Sequence, residues 1–154
     1  MKTYHHGNLK KELIKIACKL CERDGYTKLS IRSLAKESKV SQTAPYRHFK
    51  TKEDLYAAIT KEGFDKLNKE MLSIKAKNPK TYLINCGKSY IDFGLENANT
   101  YDLMFGTAVG NYADYPELSE SANNLFQILL SNFKKLSSDN DETVAFKCIT
   151  LWSM

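Results

Sequence analysis

Glycine and proline are scarce in this sequence, with seven and three residues respectively among 154. Folds built from many short strands need more of both, because their turns depend on these residues. No stretch keeps the apolar–polar alternation that is typical of a strand, whereas apolar residues recur at helical spacing. The sequence therefore predicts an all-α fold.

Long apolar runs are also missing. No stretch approaches the roughly 20 residues that a membrane helix needs. The first residues, MKTYHHGNLKKEL, contain no apolar core of a signal peptide. We therefore expect a cytoplasmic protein with no membrane partner.

The motifs of common catalytic sites are absent as well. There is no nucleophile–base pair, no phosphate-binding glycine loop and no HExxH motif. The three histidines all lie in the first third of the chain, at His5, His6 and His48. We expect neither an enzyme nor a bound metal or cofactor.

Cysteines are too few for a disulfide scaffold at this size, and the cytosol would keep them reduced. The four are Cys18, Cys21, Cys86 and Cys148. Cys18 and Cys21 form a CxxC pair, which would need two further ligands, such as His5 and His6, to hold zinc. Their position within a predicted amphipathic helix favours reduced, partly buried thiols. A thiol or metal sensor that uses Cys18 and Cys21 stays an alternative.

Charge, by contrast, is present and unevenly distributed. Residues 1–52 contain 13 Lys/Arg and four Asp/Glu, a net charge of +9. Residues 53–154 contain ten Lys/Arg and 14 Asp/Glu, a net charge of −4. A basic first third on a mildly acidic body indicates a head that binds a polyanion.

The apolar spacing predicts eight helices. Gly25 is placed to end the first of them, and Ser30 and Thr51 are placed to cap the second and the fourth. The second and third helices, joined by a tight turn, form a helix-turn-helix unit. The predicted ranges are about 9–24, 30–38, 42–49, 51–75, 82–93, 100–110, 118–136 and 144–152.

Pro45 lies inside the predicted third helix, in the segment SQTAPYRH at residues 41–48. A proline in the first turn of a helix loses at most one backbone hydrogen bond. It also disfavours the helical conformation at Ala44. The segment should therefore be a short recognition helix with a tight or irregular first turn.

Side chains suited to DNA contact surround this proline. In a helix-turn-helix unit, the N-terminal part of the second helix enters the major groove, and the proline lies in that part. Gln42 can pair with adenine, and the methyl group of Thr43 can contact thymine. The three residues after Pro45 carry phosphate donors. Lys52 begins the fourth helix beside backbone N–H groups that can bind an anion. The candidate DNA-binding residues are Ser30, Arg32, Ser41, Gln42, Thr43, Ala44, Tyr46, Arg47, His48 and Lys52.

The segment LSIRSLAKESKVSQTAPYRHFKTKEDLYAAI, at 29–59, resembles the DNA-binding domain of TetR/AcrR-type transcriptional regulators. The resemblance covers roughly residues 6–66. It implies that Tyr46, His48 and Lys52 bind phosphates, while Gln42, Thr43 and Arg47 tune sequence readout. YHHGNLKKELI, SYIDFGLEN and YDLMF also resemble the subgroup whose C-terminal domain carries a Trp-His-Gly signature.

The resemblance implies a DNA-binding domain at 6–66 and a helical effector-binding and dimerisation domain at 80–154. It implies a homodimeric repressor that binds a near-palindromic operator in double-stranded DNA and responds to an unknown small-molecule effector. Helices in such bundles enclose ligand pockets. The alternative for each pocket candidate is packing in the core. The candidates are Tyr90, Phe93, Met104, Phe105, Phe126 and Trp152.

Two features depart from the family pattern. Lys39 occupies a turn position where the family usually has glycine, so we expect a strained or slightly different turn, at a cost of about 1 kcal/mol if its φ is positive. The chain ends at LWSM, where the family continues with His and Gly after Trp152. We therefore expect the C-terminal domain to be truncated, and a homodimer chiefly for the full-length protein.

A second function remains open from the residues alone. A basic helical head could bind DNA without sequence preference, as an architectural protein with no effector. Such a protein would show similar affinity for operator and random DNA, and its affinity would be dominated by salt.

Overall fold

The computed structural model describes residues 9–152, and in that range it contains seven α-helices and no strand. Three short 3₁₀ segments lie between the helices, at Tyr26–Lys28, Pro45–Arg47 and Tyr112–Asp114. The all-α prediction is confirmed. The helices are α1 (Leu9–Asp24), α2 (Ile31–Glu37), α3 (Lys52–Ser73), α4 (Pro79–Glu96), α5 (Ala98–Phe105), α6 (Pro116–Lys134) and α7 (Asp141–Trp152).

The long helix α3 is the centre of the structure. It has 22 residues and is therefore about 33 Å long. Its neighbours are α1 on the side of the basic head and α4, α5 and α6 on the side of the body. Ten of its side chains or backbone positions are buried: Leu55, Tyr56, Ala57, Ile59, Thr60, Gly63, Phe64, Leu67, Asn68 and Met71.

The apolar core of the protein continues into the head, where it includes residues of α1 and α2 and also Phe49. Leu13 and Leu34 are fully buried, and Phe49 is 1% exposed. Burial of a phenylalanine side chain contributes about 1.5–3 kcal/mol. Phe49 therefore anchors the end of the recognition segment to the head.

The body packs closely against α3 at one point. A Cβ atom on Gly63 would lie 2.5 Å from the Sδ of Met104 and 2.8 Å from the Cγ2 of Thr100. Because those distances are shorter than real contacts, glycine at this position allows α5 to approach the backbone of α3.

The helix ends follow the capping residues in the sequence. The Ser30 Oγ accepts the Ser33 N–H at 3.0 Å, and the Thr51 Oγ1 accepts the Asp54 N–H at 3.1 Å. Gly25, with φ of +82°, follows the last residue of α1. The predicted N-caps and the predicted stop are confirmed.

The predicted helix over 42–49 is shorter and tighter in the structure. Turns cover 42–44, and a 3₁₀ segment covers only Pro45–Arg47. The Ser41 carbonyl, which would accept the missing N–H of Pro45 in an α-helix, accepts the Ala44 N–H at 3.1 Å instead. The irregular first turn is confirmed, and the proline explains why no regular α-helix forms.

Other boundaries differ by a few residues. The sixth predicted helix, α5, ends at Phe105 rather than near 110, because the backbone at Gly106 is extended. The seventh, α6, begins at Pro116, where proline suits the first helical position. No helix within residues 9–152 combines the length and the apolar character that crossing a bilayer requires.

Lys39 lies in the left-handed region, with φ of +53°. Its N–H donates to the Lys36 carbonyl, and the Val40 N–H donates to the Ala35 carbonyl, both at 3.2 Å. These two bonds form a Schellman motif, in which glycine is the usual residue at the position of Lys39. The strain that the sequence predicted at this turn is therefore present.

The variant Lys39→Gly should raise the free energy of unfolding by about 1 kcal/mol, because glycine adopts positive φ without the clash of a Cβ atom. Urea unfolding followed by circular dichroism measures the change. Lys36→Gly, the same substitution inside α2, should instead lower stability by about 0.5–1 kcal/mol. Destabilisation by both variants would contradict the strain at Lys39.

Candidate nucleic-acid interface

The recognition segment is held by two buried residues and exposes the residues around them. Pro45 is buried and Phe49 is 1% exposed. Gln42, Thr43 and Arg47 are exposed, and 53% of Tyr46 is accessible. The head thus presents these polar side chains on a rigid support.

The remaining candidates in this region differ in their exposure and in whether their side chains already make a hydrogen bond. Ser41 is exposed and its Oγ lies 3.3 Å from the Oγ1 of Thr43. Arg32 is exposed in the first turn of α2, whereas the Ser30 hydroxyl already caps that helix. His48 is half-buried, with its ring 6.4 Å from that of Phe49.

Lys52 is fixed at the edge of the same surface. Its Nζ donates to the Thr27 carbonyl at 3.1 Å and lies 5.2 Å from the centre of the Tyr56 ring. The Tyr56 hydroxyl in turn donates to the Tyr26 carbonyl at 2.7 Å. An ammonium group has three protons, so two remain for an anion.

The backbone N–H groups around Lys52 are less free than the sequence suggested. The Asp54 Oδ2 accepts the N–H of Lys50 at 2.8 Å and that of Thr51 at 3.0 Å. The Asp54 N–H donates to Thr51. The capping box therefore occupies the N–H groups of Thr51 and Asp54, and the same carboxylate also accepts the Lys50 N–H.

The cysteine pair of α1 is not built for thiol chemistry. Cys18 is half-buried and Cys21 is buried. Burial, with a smaller effect of Glu62, raises the pKa of Cys18 to about 12, and burial raises that of Cys21 to about 11. Both thiols are therefore protonated at neutral pH, which argues against a thiol sensor.

The described part of the chain also contains no group of three or more His, Cys, Asp or Glu residues that could hold a metal. His5 and His6, the two further zinc ligands considered from the sequence, lie outside the described residues.

A second feature of interest is a cleft of about 720 Å³ in the body, which we call the aromatic cleft. It brings together four of the six pocket candidates, Tyr90, Met104, Phe105 and Phe126. Every side chain that lines it is uncharged. The lining residues are Phe64, Tyr90, Tyr101, Met104, Phe105, Gly106, Gly110, Asn111, Tyr112, Ala122, Phe126 and Ile149.

The other two pocket candidates are placed differently. Phe93 is 1% exposed and does not line the cleft. Its ring packs instead under the Nζ of Lys66, at 5.6 Å. The side chain of Trp152 lies outside the described residues.

Sequence reasoning missed two aromatic residues of the cleft, Phe64 and Tyr112. No spacing within one helix links them, because Phe64 lies on α3 and Tyr112 lies in the segment Tyr112–Asp114. The Phe64 ring is 5.7 Å from that of Phe105 and 6.2 Å from that of Tyr112.

The polar groups of the cleft are mostly paired. The hydroxyl groups of Tyr90 and Tyr101 lie 2.8 Å apart, and the Tyr112 hydroxyl donates to the Met104 carbonyl. Burial raises the pKa of Tyr112 to about 12, and burial also raises the pKa of Tyr90. The cleft therefore offers neutral hydroxyl groups and ring faces, with no lysine, arginine or carboxylate among the described residues that line it.

The head and the body meet where α1 reaches the start of α5. The Glu22 Oε1 accepts the Thr100 N–H at 2.6 Å, and the Asn99 Nδ2 donates to the Glu22 carbonyl at 3.0 Å. A carboxylate at a helix N-terminus is favoured by the helix dipole. This contact, which we call the α1–α5 joint, ties the head to the helix that carries Tyr101, Met104 and Phe105.

A basic head with an exposed recognition segment, supported by two packed helices, defines a helix-turn-helix DNA-binding protein. Two family models match the chain. "Bacterial regulatory proteins, tetR family" matches residues 13–59, and "Tetracyclin repressor-like, C-terminal domain" matches residues 83–154. The chain belongs to the TetR family, whose members are DNA-binding transcriptional regulators and typically repressors. Neither model describes an enzyme family.

A curated relative and several solved structures are similar to the chain. YuxN, an uncharacterized HTH-type transcriptional regulator of Bacillus subtilis, is 37% identical over 73 residues, which are 46% of this chain and 25% of YuxN. A protein of unknown function from Rhodococcus sp. RHA1 superimposes with a TM-score of 0.79 at 23% identity, covering 97% of this chain and 81% of its own. A TetR-family regulator from Bordetella parapertussis gives 0.67 at 17% identity over the same shares. These structures show the fold.

The raised thiol pKa values predict a loss of stability in alkali. Unfolded cysteines ionise near pH 9, whereas folded Cys18 and Cys21 ionise only near 12 and 11. The unfolded state therefore binds fewer protons above pH 9, and the free energy of unfolding should fall between pH 9 and 11 by at most about 1.4 kcal/mol per pH unit for each thiol.

The variant Cys18→Ala/Cys21→Ala should show a shallower slope between pH 9 and 10, measured by urea unfolding at each pH. Leu72→Ala, which removes an exposed side chain with no ionisable group, serves as the control. An unchanged slope in the cysteine variant would contradict the raised pKa values.

Proposed function

We propose that the protein is a sequence-specific transcriptional repressor that binds a near-palindromic operator as a homodimer and is released by a small molecule. The observation that carries the proposal is the recognition segment, which exposes Gln42, Thr43 and Arg47 from a head with a net charge of +9. Two such heads would occupy successive major grooves of one operator.

The candidate residues fall into two groups, those that would contact bases and those that would contact phosphates. Gln42 and Thr43 precede the proline and would contact base edges, where the amide can bond adenine in a bidentate manner. Tyr46 and Lys52 would contact phosphates, and the two ammonium protons that Lys52 retains fit that role. His48 joins the phosphate contacts, and Arg47 tunes base readout.

Exposed apolar residues on the last described helices support a dimer. Phe146 and Ile149 on α7 are 71% and 55% exposed, and Leu136, just after α6, is 49% exposed. Phe146 and Ile149 are three residues apart and so lie on the same face of α7, and exposed apolar surface is typical of an interface. In the family that the sequence resembles, the last two helices form the dimer, and α7 corresponds to the first of those two. Membership of the Trp-His-Gly subgroup stays a prediction.

The aromatic cleft is the proposed effector site. Its rings offer a large apolar surface, and its lining contains no ionic partner. A carboxylate or phosphate ligand would lose its hydration there without a counter-charge, which is costly. We infer that the effector is an uncharged molecule with a flat ring.

The route from the effector to DNA runs through α5. Tyr101, Met104 and Phe105 line the cleft, and the first turn of the same helix is bonded to Glu22 of the head. A ligand that displaces α5 would therefore change the position of α1 and of the recognition segment. The ligand shifts the population only through a difference in affinity between the two states.

Two variants separate sequence-specific binding from architectural binding. Tyr46→Phe removes a phosphate donor and should weaken binding about fivefold to all DNA sequences alike. Gln42→Ala should relax preference at one operator position by about 1–3 kcal/mol. The measurement is affinity for an operator selected from random duplexes and for its single-base variants.

Equal affinity of the unaltered protein for operator and random DNA would favour the architectural alternative. A change of base preference in Tyr46→Phe would contradict its phosphate role. A uniform loss in Gln42→Ala would contradict base readout.

The charge of the effector can be tested with matched compounds. In a thermal-shift measurement, indole and 2-naphthol should raise the melting temperature, whereas indole-3-carboxylate and 2-naphthoate should not. Phe126→Ala should remove the effect, and Leu95→Ala, an exposed position on α4 outside the cleft, should retain it. Stabilisation by the carboxylates, or its persistence in Phe126→Ala, would contradict this assignment.

A further inference from the structure

A row of three lysines runs along α1, outside the recognition segment. Lys11, Lys15 and Lys19 follow one another at four-residue spacing, and all three are exposed. Like charges at this spacing repel and destabilise a helix. None of the three has an ion pair or hydrogen bond with another described residue. Their ammonium groups are therefore available to bind an anion.

The row forms one wall of a groove of about 540 Å³ between α1 and α3, which we call the lysine groove. Half-buried Ile14 and Cys18 form its floor. The opposite wall belongs to α3 and consists of Glu62, Gly63 and Lys66.

Lys66 brings a fourth ammonium group to the groove in a fixed position. Its Nζ donates to the Asn97 Oδ1 at 2.9 Å and lies 5.6 Å above the ring of Phe93. Two of its protons remain for a ligand. Glu62 is the single acid among the lining residues and makes no ion pair within the described chain. The groove thus carries four positive charges against one negative charge.

The Lys66 end of the lysine groove lies away from the start of α3. Lys66 and Lys52 are on the same helix, and their positions are about 21 Å apart along its axis. Lys52 marks the proposed DNA surface. A ligand in the groove would therefore be separate from the phosphates that Lys52 contacts.

We propose that the lysine groove binds a phosphate-bearing small molecule with more than one negative charge, such as a nucleotide or a short polyphosphate. Four-residue steps place the backbone positions of these lysines about 6 Å apart along α1, so that one multivalent anion can meet several of their flexible side chains. Ammonium groups bind phosphate as compact point charges.

The site would couple to DNA binding independently of the aromatic cleft. α1 belongs to the head, whereas Lys66 is bonded to Asn97 between α4 and α5. An anion that bridges α1 and Lys66 favours the state in which α1 is packed against α3 and Lys66 is bonded to Asn97. If the ligand changes the affinity of the protein for DNA by some factor, bound DNA changes the affinity of the protein for the ligand by the same factor.

The test uses inorganic tripolyphosphate and isothermal titration calorimetry at low ionic strength. The unaltered protein should bind one equivalent, and Lys15→Gln/Lys66→Gln should bind about tenfold more weakly. Lys75→Gln/Lys77→Gln removes the same charge from the exposed loop before α4 and should bind within about twofold of the unaltered protein. Arg47→Gln/Lys52→Gln, on the proposed DNA surface, should also bind tripolyphosphate within about twofold of the unaltered protein.

Three results would overturn the proposal. One is the absence of tripolyphosphate binding by the unaltered protein. Another is an equal loss in the groove variant and in either control, which would mean general charge attraction or binding on the DNA surface. The last is normal tripolyphosphate binding by the groove variant with a weaker affinity for random duplex DNA, which would make the groove a DNA contact.

Discussion

The burial of α3 on several sides is the constraint on which the rest of the structure depends. Ten of its 22 residues are buried, against α1 on one side and α4, α5 and α6 on the other. Protein interiors are close-packed, so a helix enclosed in this way cannot shift without its neighbours. Head and body therefore share one core along α3, and Lys52 at its start belongs to the proposed DNA surface.

The contacts around α3 give the body two connections to the head. Gly63 lets α5 approach α3, and Glu22 of α1 binds the first turn of α5. The aromatic cleft opens beside that same helix, whereas the lysine groove lies between α1 and α3. Each proposed ligand site thus borders a different contact between the two parts of the protein.

Local features of the sequence predicted local features of the structure. The caps Ser30 and Thr51, the stop at Gly25 and the strain at Lys39 depend on residues within a few positions of one another. Pro45 predicted an irregular turn, but not that a 3₁₀ segment would replace the helix. That outcome depends on the alternative donor that the Ser41 carbonyl finds in the Ala44 N–H.

The sequence by itself determined the class of fold, the basic head and the exposed recognition segment, because helical spacing, charge and the motif around Pro45 are properties of the chain order. Tertiary structure alone decided which aromatic residues share a cleft. Phe64 and Tyr112 join Tyr90 there, whereas Phe93 packs under Lys66. An aromatic stripe has the same spacing whether it lines a cavity or fills a core, and only the packing of α3 against its neighbours distinguishes the two.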